Sequence, residues 1–222
     1  MLGAVLWRSV VWLAVGFIAA AAAEPLAAAA PGRELLRDPD FEQGFAVLAA
    51  TGGGQVVGKI QSLSATNAPV WQLAQWHSRM PFIGAPLPEG DFVVSNAAKW
   101  LCLDPGPDRG PTLTLGVDSR AEYTNGLRRQ ATEPWVHLLV QQEIRDAPAL
   151  AGLASLRLRG ELRLRAATTF RPAGHTPALH AAQFQLVLTL NNTRRGSPGF
   201  GDYLWFVAPV YDDRHEVPPP YV

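Results

Sequence analysis

The sequence predicts an all-β protein, built as an antiparallel sandwich or barrel. Three observations carry that prediction. Several segments alternate apolar and polar residues with period two. The stretches between them are dense in proline and glycine, and no segment offers a long amphipathic helix with caps. Period-two alternation places one set of side chains in a core and the other on a surface, the pattern of a half-buried strand. Many short strands separated by turn signals define a two-sheet or barrel architecture.

The chain begins with MLGAVLWRSVVWLAVGFIAAAAAEP, in which Arg8 precedes an apolar run from Val10 to Ala22 and small residues follow up to Ala23. That order is the pattern of a secretory signal peptide, expected over residues 1–23. The run is shorter than the ~20 residues a spanning helix needs. Residues 24–33 are Ala-rich and read as a flexible leader, and residues 34–222 as a single domain ending in the Pro-rich tail EVPPPYV. The expected location is secreted or periplasmic, bacterial in type, with no membrane contact once the signal is cleaved.

Along the domain, GQVVGKIQSL, VWQLAQW, DFVVS and KWLCL are weaker strand candidates. TLTLGVD groups Leu113, Leu115 and Val117, and HLLVQQEI groups Leu138, Val140 and Ile144. DAPALAGLAS is the best short helical or turn candidate. In LRLRGELRLR, Leu156, Leu158, Leu162 and Leu164 fall opposite Arg157, Arg159, Glu161, Arg163 and Arg165. A helix would scatter those leucines around its circumference, whereas a strand hides them together. In HAAQFQLVLTLNN, Ala182, Phe184, Leu186, Leu188 and Leu190 oppose Gln183, Gln185, Val187, Thr189 and Asn191. MPFIGAPLPEGD, DPGPDRGP, FRPAGHTP and NNTRRGSPGFGD break both helix and ladder and read as loops.

Composition narrows the function classes. Of 222 residues 48% are hydrophobic and 17% charged, enough apolar surface for one substantial core. Formal net charge is zero and the basic residues form no tail, so nucleic acid is not an expected partner. Cys102 is the single cysteine, which excludes an intrachain disulfide and reads as a small buried residue. No Cys/His cluster has zinc spacing, and TGGGQ lacks the lysine and helix of a phosphate loop. There is no Gly-x-Ser-x-Gly elbow.

The segment GDYLWFVAPVYDDRH holds the candidate site. Period two puts Leu204, Phe206, Ala208 and Val210 on one face, and Tyr203, Trp205, Val207, Pro209 and Tyr211 on the other. Tyr and Trp join a flat apolar body to a polar edge, which suits the C–H face of a sugar ring. Amides, carboxylates and guanidinium forks suit its hydroxyls. The expected ligand-binding residues are therefore Trp205, Tyr203, Tyr211, Gln183, Gln185, Glu143 and Arg163, with a polysaccharide or cell-surface glycan as partner. No cofactor is implied, although a structural calcium ion is compatible with the reading. Asp212, Asp213, His215 and Glu216 are oxygen- and nitrogen-bearing neighbours, but too few to build a calcium site alone.

Two resemblances add to this. ELLRDPDFEQGF resembles the entry strand of galactose-binding-like jelly-roll modules, and VQQEIRDAPALAGLASLRLRGELRLR is similar to their middle. The likeness spans residues 34–210 in outline. It implies a jelly-roll β-sandwich and, for many members, sugar binding without catalysis. RGELR, with a faint likeness in FVAPVY, also resembles a strand of jelly-roll polysaccharide lyases of the alginate-lyase kind. That likeness implies Arg159 and Arg163 as a carboxylate clamp and Tyr211 as proton donor. This chain departs from the lyase pattern, because no Gln-x-His lies between Arg163 and Tyr203. Glycan binding, a carbohydrate-active enzyme, and a structural or protein-interaction domain therefore stand as alternatives at the level of sequence.

Overall fold

The structure is a computed structural model, and it describes residues 13–16, 32–87, 92–104, 111–128, 130–144, 149, 153–171 and 173–215. The chain is all-β. Its strands are β1 (Leu13–Gly16), β2 (Phe45–Leu48), β3 (Val56–Ser62), β4 (Trp71–Ala74), β5 (Ala85–Leu87), β6 (Phe92–Ser95), β7 (Lys99–Asp104), β8 (Thr112–Val117), β9 (Leu139–Gln141), β10 (Glu161–Leu164), β11 (Gln183–Asn191) and β12 (Tyr203–Asp212). One sheet has the order β10-β1-β8-β7-β6, a second β5-β3-β2-β4-β9, and β11 and β12 form a separate ribbon.

The two five-stranded sheets face each other across one core. Phe45, Val47, Ile60, Trp71 and Leu73 of the second sheet join Leu101, Leu103, Leu113 and Leu115 of the first in a single buried cluster. Phe41 closes it, 5.0 Å from the Trp71 ring and 5.7 Å from that of Phe45. The second sheet is mixed rather than purely antiparallel, because β2 pairs β4 and β3 pairs β5 in parallel. Side-chain alternation carries no information on strand direction, so the antiparallel expectation fails at these two ladders.

Glycine and buried polar residues fix the layers. Gly44 sits at φ +70, and a Cβ there would overlap the Ile60 carbonyl oxygen. Only glycine lets β2 begin this close to β3. The Gln75 amide is buried and satisfied on both ends: its Nε2 donates to the carbonyls of Leu48 (3.1 Å) and Phe82 (2.7 Å), and its Oε1 accepts from the Phe82 N–H (2.8 Å). Lys99 and Glu122 form a fully buried ion pair. Glu122 also accepts from Ser78 Oγ (2.9 Å) and from the N–H groups of Arg79 (2.6 Å) and Met80 (3.2 Å). One carboxylate thus ties β7 to the 78–80 loop.

Several expectations need correction. The ELLRDPDFEQGF stretch is a run of turns, not a strand: Asp38 and Phe41 have positive φ, and pairing starts only at Phe45. LRLRGELRLR pairs only over Glu161–Leu164; Leu162 and Leu164 are half-buried, while Leu156 and Leu158 are exposed. A four-residue helix, Pro177–His180, runs from the end of FRPAGHTP, read as loop, to the first residue of HAAQFQLVLTLNN, read as strand. Most of DAPALAGLAS, and Glu216 with the rest of the tail, lie outside the described residues. Leu13–Gly16, within the expected signal peptide, pairs with β8 (Leu13 opposite Leu115) and with β10 (Leu13 opposite Leu164).

Candidate functional site

The site begins with the β11–β12 ribbon, in which β11 alternates as the sequence dictates. Gln183, Gln185, Val187, Thr189 and Asn191 are exposed, Phe184 is buried, and Leu186, Leu188 and Leu190 are half-buried. The strands are joined by a glycine-rich turn. There Asn192 N–H donates to the Asp202 carbonyl (2.8 Å) and Gly201 N–H returns to Asn192 O (2.9 Å). Asn192 also donates from Nδ2 to Pro198 O (3.1 Å), so one side chain pins the whole connection.

Register decides which side chains share a face, since directly opposed residues in an antiparallel pair lie on the same side. Tyr203 opposes Asn191, Trp205 opposes Thr189, Val207 opposes Val187 and Pro209 opposes Gln185. One face therefore carries Tyr203 and Trp205 beside an amide, a hydroxyl and, further along, Gln185. The two rings are 62% and 60% exposed, with centroids 5.4 Å apart and planes 37° apart. They form a tilted aromatic ridge open to solvent.

A register shift between Phe184 and Gln185 then changes the phase of β12, so that Tyr211 opposes Phe184. This corrects the expectation that Tyr211 shares a face with Trp205. A bulge inserts one residue and turns everything beyond it to the opposite side. The reverse face is also more open than period two implies: Leu204 and Phe206 are 56% and 52% exposed.

Tyr211 instead lines a cleft of about 580 Å3 with Thr169, Arg171, His175, Pro177, Asp213, Arg214 and His215. Thr169 Oγ1 donates to Asp213 Oδ2 (2.8 Å), and Ala182 N–H donates to Asp213 Oδ1 (2.8 Å). Asp212 is held by the Arg214 guanidinium and by Gln183 Nε2 (2.8 Å). The Arg214 hydrogen bonds hold the Asp212 carboxyl well below the usual carboxylate range, against the opposing effect of burial. Burial and the Asp213 charge push the Tyr211 hydroxyl up, while Thr169 and Arg171 oppose the shift, so it is a proton-bearing donor at neutral pH. His175 stacks on His180 at 5.1 Å. Burial, with the charges of His180 and Arg171, pulls His175 down despite Asp213.

The remaining expected residues do not converge. Arg163 is exposed on β10, Arg159 lies on the unpaired stretch before it, and Glu143 is exposed beyond β9; none of the three lines the cleft. Gln183 is engaged with Asp212. Among the described residues no group of three or more His, Cys, Asp or Glu could hold a metal ion. Sequence reasoning missed Arg171, His175 and Thr169, because they sit on irregular chain where no period marks a face. The one available signal was chemical: Arg and His four residues apart in a Pro/Gly loop that precedes a strand.

No family model, curated protein or solved structure matches this chain. The class defined here is thus structural: an all-β sandwich with a separate two-stranded ribbon that bears exposed aromatic side chains.

Proposed function

We propose that this chain is a secreted or periplasmic, non-catalytic glycan-binding β-sandwich of jelly-roll type. The observation that supports this reading best is the Tyr203–Trp205 ridge, two adjacent rings left open on one strand face. Contiguous exposed apolar surface rimmed by polar residues is a mark of an interaction site. A sugar ring stacks its C–H face on the pair, and Thr189, Asn191 and Gln185 on the same face meet its hydroxyls. Glu143 and Arg163 are not part of this platform.

The test is a glycan array with the purified chain, followed by titration of the best ligand into Trp205→Ala. Covering an aromatic face of this kind contributes roughly 1.5–3 kcal/mol, so the variant is expected to bind at least about tenfold more weakly. Unaltered affinity removes Trp205 from the site.

A second reading has one observation in its favour. Tyr211 shares an open cleft with an arginine and a histidine, Arg171 and His175, a donor set suited to proton transfer on an acidic polysaccharide. These are not the Arg159 and Arg163 that the lyase resemblance implies. An absorbance assay for unsaturated uronate product separates the readings: product formation that disappears in Tyr211→Phe favours the enzyme.

A further inference from the structure

We infer that the cleft beneath Tyr211 is a binding site for an oxyanion, a carboxylate or sulfate group carried as a substituent on a glycan. Two charged groups of the cleft, Arg214 and Asp213, already have partners. Arg214 is engaged with Asp212. Both oxygens of Asp213 receive donors, from Thr169 and from the Ala182 N–H. Arg171 lines the same cleft, yet among the described residues it makes no ion pair and no hydrogen bond, with Asp213 or with any other group. A guanidinium offers five N–H donors in a planar fork that matches an oxyanion two bonds at a time.

The rest of the lining is donor-rich. His175 Nε2 is closed off from solvent and has no hydrogen-bond partner among the described residues. The Tyr211 hydroxyl and the His215 imidazole complete the wall. Tyr211 lies six residues along β12 from Trp205, about 20 Å in an extended strand and on the opposite face. The cleft is thus a separate site, which a polymer long enough to pass the ribbon edge can reach. The oxyanion itself follows from the cleft alone; that a glycan carries it rests on the proposed function.

Isothermal titration calorimetry on the full chain tests this with four probes: sodium sulfate, sodium acetate, a sulfated galacto-oligosaccharide and its unsulfated parent. The sulfated compound is expected to bind about tenfold more tightly than its parent, the scale of one charge-assisted fork. Arg171→Gln is expected to bring that ratio to about one with no change in melting temperature. Arg157→Gln, on the extended stretch outside the cleft, is expected to keep the wild-type ratio. Trp205→Ala weakens both oligosaccharides together and leaves the ratio intact. Arg171-dependent binding of the free salts without binding of either oligosaccharide supports the anion site while removing the glycan reading. A ratio of one in the wild type, a ratio unchanged in Arg171→Gln, or no binding of any of the four probes overturns the inference.

Discussion

Lys99 and Glu122 illustrate how much a single pair of residues governs. Both side chains are fully buried, and burial pulls the Lys99 ammonium down to about 8, still largely charged at neutral pH beside its partner. Removing one member strands the other in the core. Lys99→Met is therefore expected to lose about 3–5 kcal/mol in urea unfolding. Glu122→Gln keeps one oxygen, enough for the Arg79 and Met80 amides though not for Ser78 Oγ as well, and leaves Lys99 free to shed its proton; it is expected to lose less. Equal losses would contradict the capping role of Glu122. His137 supplies a pH effect at the same scale. Its Nδ1 is covered and has no hydrogen-bond partner among the described residues, its ring sits 5.6 Å from Trp76, and burial holds its pKa below the ordinary 6.5. As pH falls through 6.5 the unfolded chain takes up the proton first. The stabilisation is present above that value, declines below it, and levels off once the folded histidine also titrates. Denaturation midpoints at pH 7.5 and 5.5 should differ more in the wild type than in His137→Gln.

At the scale of elements, β8 and the β11–β12 ribbon stand at opposite extremes. β8 is buried at Leu113, Thr114, Leu115 and Gly116, and the Trp100 indole lies where a side chain on Gly116 would stand. The ribbon has only two strands, and its distal half is exposed on both faces. Two strands without a covered face are marginal in water. Hydrogen exchange should therefore be slowest in β7 and β8 and fast near Asn191 and Tyr203; the reverse order would contradict this division. The same elements show what was legible in the sequence. Alternation located β4, β6, β7 and β11, where one phase is the more deeply buried, and also marked β3, β8, β9 and β12, where burial does not follow period two. It overextended β10, since an Arg/Leu pattern records a preference for two environments and not the presence of a neighbour to pair with. It misplaced Tyr211, because a bulge is one unpaired residue and leaves no mark in periodicity. The cleft was invisible for a related reason: Thr169, Arg171 and His175 come from irregular chain, and tertiary contacts alone bring them to Asp213.

For the whole molecule, the leader and the sandwich make competing demands on residues 13–16. Cleavage near Ala23 would remove β1, which lies between β8 and β10. The secretion reading predicts an exported protein whose intact mass begins at Glu24, with exchange at the β8 edge faster than in the precursor. A retained N-terminus would instead keep β1 in the sheet. Leu101, Leu103, Leu113 and Leu115 of β7 and β8 share one buried cluster with residues of the second sheet. Stacking of a sugar on the Tyr203–Trp205 ridge, as proposed, is tested most directly by nuclear magnetic resonance. With the Trp205 indole signal assigned by Trp205→Phe, a bound oligosaccharide should shift that signal and show proton contacts to it, while the Trp71 and Trp100 indoles stay in place. A bound sugar that leaves the Trp205 signal unmoved would contradict the account.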